Sequence, residues 1–171
     1  MSTVLECTGL SLSRGGRVLC RDLDLRVAAG ECWAVLGRNG AGKTTLLHAL
    51  AGLNPPESGT IRIDGKPLAH WHRRDLAREL GLMPQDSRDP FPASVLDTAL
   101  MGRHPYLSPW QTEGEEEYRM ARAALAAAEL NEMEHRQVNT LSGGERRRLA
   151  LATLLTQAPS FMLLDEPVNR S

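Results

Sequence analysis

Hydrophobic positions along this chain follow two periods. Between Thr3 and Leu12, and again between Val18 and Val27, apolar and polar side chains alternate, most cleanly at Leu23, Leu25 and Val27. That is the pattern of strands with one buried face. Arg14-Gly15-Gly16-Arg17 separates the two as a turn, so the N-terminal part is predicted to be β-rich. Past Gly30, Cys32-Trp33-Ala34-Val35-Leu36 is a continuous apolar run of strand length, which suits a strand covered on both faces of an α/β sheet. Glycines follow at once. Thr44 to Ala51 then reads as a helix closed by Gly52. A loop from Pro55 to Gly59 leads to the alternating Thr60-Ile61-Arg62-Ile63 and the Asp64-Gly65 hairpin turn.

The character changes after Gln85. Asp86 to Pro92 is a polar, proline-containing loop, and the chain beyond it is Ala-rich and helical, so residues 86–140 are read as a separate α-helical subdomain. Thr112 and Glu115 have capping-box spacing, and Tyr118, Ala121, Leu125 and Ala128 recur on one face. A helix over Thr112–Leu130 is predicted, with Glu115, Glu116 and Glu117 as its solvated first turn. Ser142 and Glu145 repeat that spacing before a helix reaching about Gln157. Phe161-Met162-Leu163-Leu164 then reads as a buried parallel strand carrying Asp165 and Glu166 to its C-terminal edge.

Composition narrows the class. With 171 residues, 42% hydrophobic and 24% charged, the chain predicts one folded domain with a core. Twenty basic against 21 acidic residues give a net charge of -1, so no nucleic-acid partner is expected. Met1 to Leu10 lacks a basic segment followed by an apolar run, and the longest apolar stretches fall short of the ~20 residues of a membrane span. The reading is of a chain neither secreted nor membrane-spanning. Cys7, Cys20 and Cys32 are odd in number without CxxC spacing, which predicts no disulfide or zinc site and suits a reducing cytosol.

The chemistry concentrates in three places. Gly37-Arg38-Asn39-Gly40-Ala41-Gly42-Lys43-Thr44 fits G-x-x-x-x-G-K-[ST], between a predicted strand and a predicted helix. Glycines let backbone N–H groups wrap a phosphate, and the helix N-terminus adds its positive end. Lys43 then reaches the β- and γ-phosphates, Thr44 offers its hydroxyl to Mg²⁺, and Thr45 with the amides of Gly40, Gly42 and Lys43 completes the contacts. A glycine-rich turn alone would not require that context. Lys43 and Lys66 are the only lysines in an arginine-rich chain, and a compact ammonium fits phosphates better than a planar fork. Asp165 would hold Mg²⁺ directly or through water, and Glu166 would act as general base toward the attacking water. Two acids ending a strand by accident is the plainer alternative. In the third place, capping explains Ser142 and Glu145, but not Gly143 and Gly144. These weaken a first helical turn while exposing N–H groups to a second anion; Arg146, Arg147 and Arg148 read as a solvated face.

In this order, the Gly37–Thr45 loop, Gln85, Leu141–Glu145 and Phe161–Glu166 resemble the ATP-binding subunit of ABC transporters, over essentially the whole chain. The resemblance makes the loop the Walker A motif, Gln85 the Q-loop, Leu141–Glu145 the signature, and Asp165 with Glu166 Walker B. It implies a P-loop NTPase of α/β class with an ABC-type core, an N-terminal antiparallel β subdomain and an inserted α-helical subdomain. It further implies ATP as substrate with Mg²⁺, and a head-to-tail dimer. In that dimer ATP lies between the Gly37–Thr45 loop of one copy and Ser142, Gly143, Gly144 and Glu145 of the other. Gln85 would touch Mg²⁺ and the attacking water and link the core to the helical subdomain. Permease membrane subunits are the implied partners, with a substrate-binding protein indirectly. The implied location is peripheral, on the cytoplasmic face of the inner membrane. Gln85-Asp86 and Met101-Gly102-Arg103-His104-Pro105 look similar to importers of iron-siderophores, haem or cobalamin.

Two departures accompany the resemblance. Arg14 stands about where the family often places an adenine-stacking aromatic; a guanidinium there could stack on the base with a weaker or altered contact, and a plain surface arginine is the simpler alternative. Pro167-Val168-Asn169-Arg170-Ser171 enters the D-loop region without its Asp, and none of His48, His70, His72, His104 or His135 follows Asp165 to serve as switch histidine. The expectation is a C-terminally incomplete core. By resemblance it lacks the strand between the Cys32 and Phe161 strands, leaving their faces and backbone groups exposed. A non-transport ABC protein, or a nucleotide-binding fragment without turnover, are the alternatives. A GTPase is disfavoured by the absence of an Asn-Lys-x-Asp motif.

Overall fold

A computed structural model describes residues 4–85, 92–108 and 110–165. Expectations placed on Thr3, on Asp86 and the loop to residue 91, on Glu166 and on Pro167–Ser171 lie outside the described residues. The chain divides into two units between Leu76 and Ala77.

The first unit is built on an antiparallel sheet of order β2-β1-β3-β4, from β1 (Val4–Arg14), β2 (Arg17–Ala28), β3 (Ser58–Ile63) and β4 (Lys66–Pro67). The β1–β2 hairpin turns at Gly15 and Gly16, both at positive φ, as the sequence indicated. Leu5 and Cys7 are buried, then the parity changes and Leu10 and Leu12 are buried instead. The cause is a register irregularity between Cys7 and Leu10, where Gly9 sits at φ 59°. One extra residue rotates the rest of the strand and returns its leucines to the core face. Across the ladder Leu5 opposes Ile63 and Cys7 opposes Ile61, so both strands bury the same face. α1 (Lys43–Leu50) follows the glycine loop.

Here one expectation fails. Cys32–Leu36 is not a strand: it has no ladder partner among the described residues, and Trp33 is 58% and Leu36 91% exposed. An apolar run becomes a strand only by pairing, and the antiparallel sheet of this unit has no register for it. Instead the chain turns at Gly30 (φ 83°), with the Glu31 amide donating to Ala28 O at 3.1 Å. The Glu31 carboxylate accepts from the Ala28 amide and from Trp33 Nε1, both at 3.0 Å, and the Ala28 bond foremost holds the Glu31 carboxyl below its ordinary pKa.

α2 (Arg73–Glu79) leads into the second unit, which holds a two-stranded parallel sheet, β5 (Leu80–Met83) beside β6 (Phe161–Leu164). Between them in sequence come α3 (Val95–Leu100), a 3₁₀ segment (Met101–Tyr106), α4 (Glu115–Ala127) and α5 (Gly143–Gln157). β6 is parallel as predicted but not fully covered, since Met162 is 42% and Leu164 37% exposed. α4 begins later than predicted: its cap is Gly114, whose amide donates to Glu117 Oε2 at 2.9 Å, and Thr112 is left outside. Three consecutive glutamates offered the chain several equivalent acceptors, and spacing alone could not choose among them. Val95 and Ala99 of α3, Ala121 and Leu125 of α4, and Leu149 and Ala152 of α5 form one buried cluster. The inserted helices therefore share a core with the signature helix.

Candidate nucleotide site

In the first unit the glycine loop forms without strand or helix hydrogen bonding until Lys43. The Ala41 amide donates to Arg38 O at 3.1 Å, closing a turn, while Gly40 (φ 78°) and Gly42 (φ 101°) adopt left-handed backbone that a side chain would strain. At Gly42 a Cβ would also lie 3.0 Å from the Leu19 side chain. No side chain caps the N-terminus of α1, so the orphan amides of its first turn have no intrahelical acceptor. Lys43 Nζ donates to Gly37 O at 2.7 Å and Arg38 O at 3.3 Å, which holds its charge over the loop. Gly37 to Ala41, with Arg38 and Asn39 between, are exposed, and Gly42, Lys43, Thr44 and Thr45 are half-buried. The loop offers N–H groups, a helix positive end, an ammonium and a threonine hydroxyl. That set matches a polyphosphate. Arg14 is exposed at the hairpin end, in register with Arg17.

In the second unit the parallel pairing of β5 and β6 puts Met83 opposite Leu164, and the Asp165 amide continues the ladder to Met83 O at 3.0 Å. Gln85 and Asp165 therefore leave the sheet at the same C-terminal edge. Gln85 is exposed, whereas Asp165 is only 1% exposed and its Oδ2 has no hydrogen-bond partner among the described residues. A buried carboxylate oxygen without a donor is costly, and a cation removes the cost. No group of three or more His, Cys, Asp or Glu gathers as a metal cage among the described residues. Mg²⁺ needs none, because it is commonly held by one or two carboxylates together with substrate phosphates. Asp165 thus fits a Mg²⁺ ion that arrives with oxygen ligands of its own.

The signature forms the N-terminus of α5 through a complete capping box. Ser142 Oγ accepts from the Glu145 amide at 3.2 Å, and Glu145 Oε2 accepts from the Ser142 amide at 2.7 Å. Bonding from Ser142, with Arg136 and Arg148 nearby, holds the Glu145 carboxyl below its usual pKa. Arg136 was not singled out by its spacing, yet it organises this loop. Its Nε donates to Thr140 Oγ1 and its Nη2 to Thr140 O, both at 3.0 Å, and its Nη1 stands 3.7 Å from Glu145 Oε1. The three-arginine run is only partly a solvated face. Arg146 and Arg148 are exposed, but Arg147 is half-buried with Nε and Nη2 unpartnered among the described residues. Arg146 also lines a cavity of about 190 Å³ with Met83, Pro84, Leu149 and Leu154.

A Cβ on Gly143 or Gly144 would meet nothing within 4 Å, so packing in this chain does not require either glycine. Gly144→Ala is accordingly expected to stabilise the chain by about 0.5–1 kcal/mol. Ser142→Ala is expected to destabilise it by ~1 kcal/mol through loss of the cap. Urea denaturation of both variants measures the pair, and a destabilising Gly144→Ala would show that the glycine is needed locally.

Comparison with known proteins agrees with this geometry. A family model described as ABC transporter matches residues 20–169. The hemin import ATP-binding protein HmuV of Nocardia farcinica is 40% identical over 168 residues, covering 95% of this chain and 58% of the relative. The petrobactin import ATP-binding protein FpuD of Bacillus anthracis is 37% identical over 172 residues, covering 99% and 62%. Among solved structures, a metal-chelate type ABC transporter in an inward-facing conformation aligns with TM-score 0.81 and 30% identity, over 98% of this chain and 61% of that one. CbiO1 of Clostridium perfringens, part of an ABC transporter complex, aligns with TM-score 0.78 and 27% identity, over 96% and 65%. The chain spans 58–62% of the length of these two curated relatives. The matched span and the shared fold show that the chain belongs to the ABC transporter family, as one of its ATP-binding domains.

Proposed function

We propose that this chain binds ATP and hydrolyses it to ADP and phosphate to drive import of a metal chelate, of the haem or siderophore kind, through a membrane permease. The observation that carries the reading is the family match over residues 20–169, together with the loop's convergent donors and the buried, unpartnered Oδ2 of Asp165. The substrate class rests on the relatives, which are named as import or transport proteins for hemin, petrobactin and siderophores.

In this mechanism the amides of Gly40, Gly42 and Lys43 and the hydroxyl of Thr45 bind phosphate oxygens, and the Lys43 ammonium leaves its two loop carbonyls for the β- and γ-phosphates. On the family's pattern Thr44, Asp165 and Gln85 would hold Mg²⁺. The ion would supply neutralisation of negative charge on the phosphate oxygens. Glu166 orients the attacking water and accepts its proton. Ser142, Gly143, Gly144 and Glu145 of a second copy, arranged head to tail, close the site, with open glycine backbone admitting the γ-phosphate. The helical segment 86–140 faces the permease, and its core shared with α5 couples permease contact to the signature. Among the described residues no helix is long and apolar enough to cross a membrane, which suits a peripheral subunit on the cytoplasmic face.

Co-expression with a haem or siderophore permease tests the partner. Retention of the chain on the purified permease, with ATP-dependent uptake of the chelate, is the expected result. A chain that stays unbound and leaves uptake unchanged contradicts it.

A further inference from the structure

The Met101–Pro105 stretch, noted above only for its likeness to importer sequences, sits against the far end of the signature helix. The last carbonyls of a helix have no intrahelical donor, and at α5 each is met. The Ala158 amide, in left-handed backbone at φ 49°, reaches Leu154 O at 3.2 Å and Leu155 O at 3.1 Å. The last two carbonyls are met from some fifty residues upstream: Arg103 Nη1 donates to Thr156 O at 3.3 Å, and Tyr106 Oη to Gln157 O at 2.9 Å. Arg103 is 8% exposed, and its guanidinium stands 3.8 Å from the Tyr106 ring centroid. A cation there also faces the negative end of the helix dipole. Gly102 makes this approach possible, since a Cβ would lie 2.4 Å from Thr153 O and 2.8 Å from Gln157 N.

Gln157 carries the contact further. Its Nε2 donates to Ala77 O at 2.5 Å and to Leu80 O at 3.3 Å, the latter the first residue of β5. Gly81 packs on the same end, where a Cβ would meet Leu154 Cδ1 at 2.3 Å. Three elements therefore meet at one joint: α5 ends there, and β5 and β6 begin there. β5 runs from it toward Gln85, β6 begins four residues after Gln157 and runs to Asp165, and α5 leads back to the signature.

We infer that Arg103, Tyr106 and Gln157 are positioning residues that set where Asp165 meets Mg²⁺, acting through the starts of β5 and β6. The inference rests on the nucleotide reading of Asp165 given above. Its specific content is that loosening the joint weakens the Mg²⁺-dependent part of ATP binding and spares the part due to the glycine loop, which lies in the other unit.

The experiment measures ATP dissociation constants for the 171-residue chain with Mg²⁺ and with EDTA, for the wild type, Tyr106→Phe and Gln157→Met, together with urea denaturation of each. Tyr106→Phe keeps the ring under Arg103 and removes only the hydroxyl, so it remains informative where Arg103→Ala fails to fold. In both variants the affinity in EDTA is expected to stay at the wild-type value. The gain from Mg²⁺ is expected to shrink about fivefold, the size of one lost hydrogen bond. Reduced stability with an unchanged Mg²⁺ gain overturns the inference and leaves the joint as a helix cap. A wild-type chain that binds ATP equally with and without Mg²⁺ fails the reading of Asp165 itself, and the inference with it. Retained Mg²⁺ gain in the wild type with loss in both variants supports both.

Discussion

Glu166→Gln is expected to lower ATP turnover by about a hundred- to ten-thousand-fold in the transporter assembled with its permease, while leaving ATP binding intact. The substitution keeps side-chain length and hydrogen-bonding capacity but removes the basic oxygen proposed to take the proton from water. In the proposed role Glu166 adds negative charge near the γ-phosphate, so with that charge removed affinity is expected to stay the same or rise. Asp165, one residue earlier, is assigned the opposite consequence: its loss strikes Mg²⁺ and therefore binding. Phosphate release and ATP affinity, measured on the same preparation, separate the two roles. Equal turnover by Glu166→Gln would take the general-base role away from that residue.

The second large effect is expected from Lys43→Ala, with a loss of ATP affinity of about a hundredfold. A charge-assisted hydrogen bond contributes up to roughly 3 kcal/mol, and Lys43 is the one lysine in the loop. Its ammonium also donates to Gly37 O and Arg38 O, so the same residue braces the loop. The variant therefore loses both the phosphate contact and this internal brace. Lys43→Arg tests the shape argument: a planar guanidinium keeps the charge but does not fit the same converging oxygens, and intermediate affinity is expected.

Much of this was legible in the sequence because it depended on neighbours along the chain. The hairpin at Gly15-Gly16, the helix after the glycine loop and the Ser142–Glu145 box all rest on contacts within a few residues. What could not be read depended on distant partners. Cys32–Leu36 has the composition of a buried strand, but strand formation is decided by the chain that lies alongside, and none does so among the described residues. The shift of buried parity in β1 was hidden because nothing in the local pattern fixes the register irregularity at Gly9. Arg103 belonged to a stretch noted only for its likeness to importer sequences and Tyr106 lies just beyond it; their role as cap for α5 needed the fold to bring Thr156 and Gln157 to them. In the same way, the isolation of Asp165 Oδ2 is a property of burial, and the residue order could offer only its place at the end of an apolar run.

The central proposal is that the Gly37–Thr45 loop of this ATP-binding domain holds the nucleotide. Calorimetric titration of the wild-type 171-residue chain with ATP and Mg²⁺ tests that directly. Saturable binding of one nucleotide per chain, weakened by EDTA and about a hundredfold weaker in Lys43→Ala, is the result predicted. Absence of saturable binding, or equal affinity in wild type and Lys43→Ala, would contradict it.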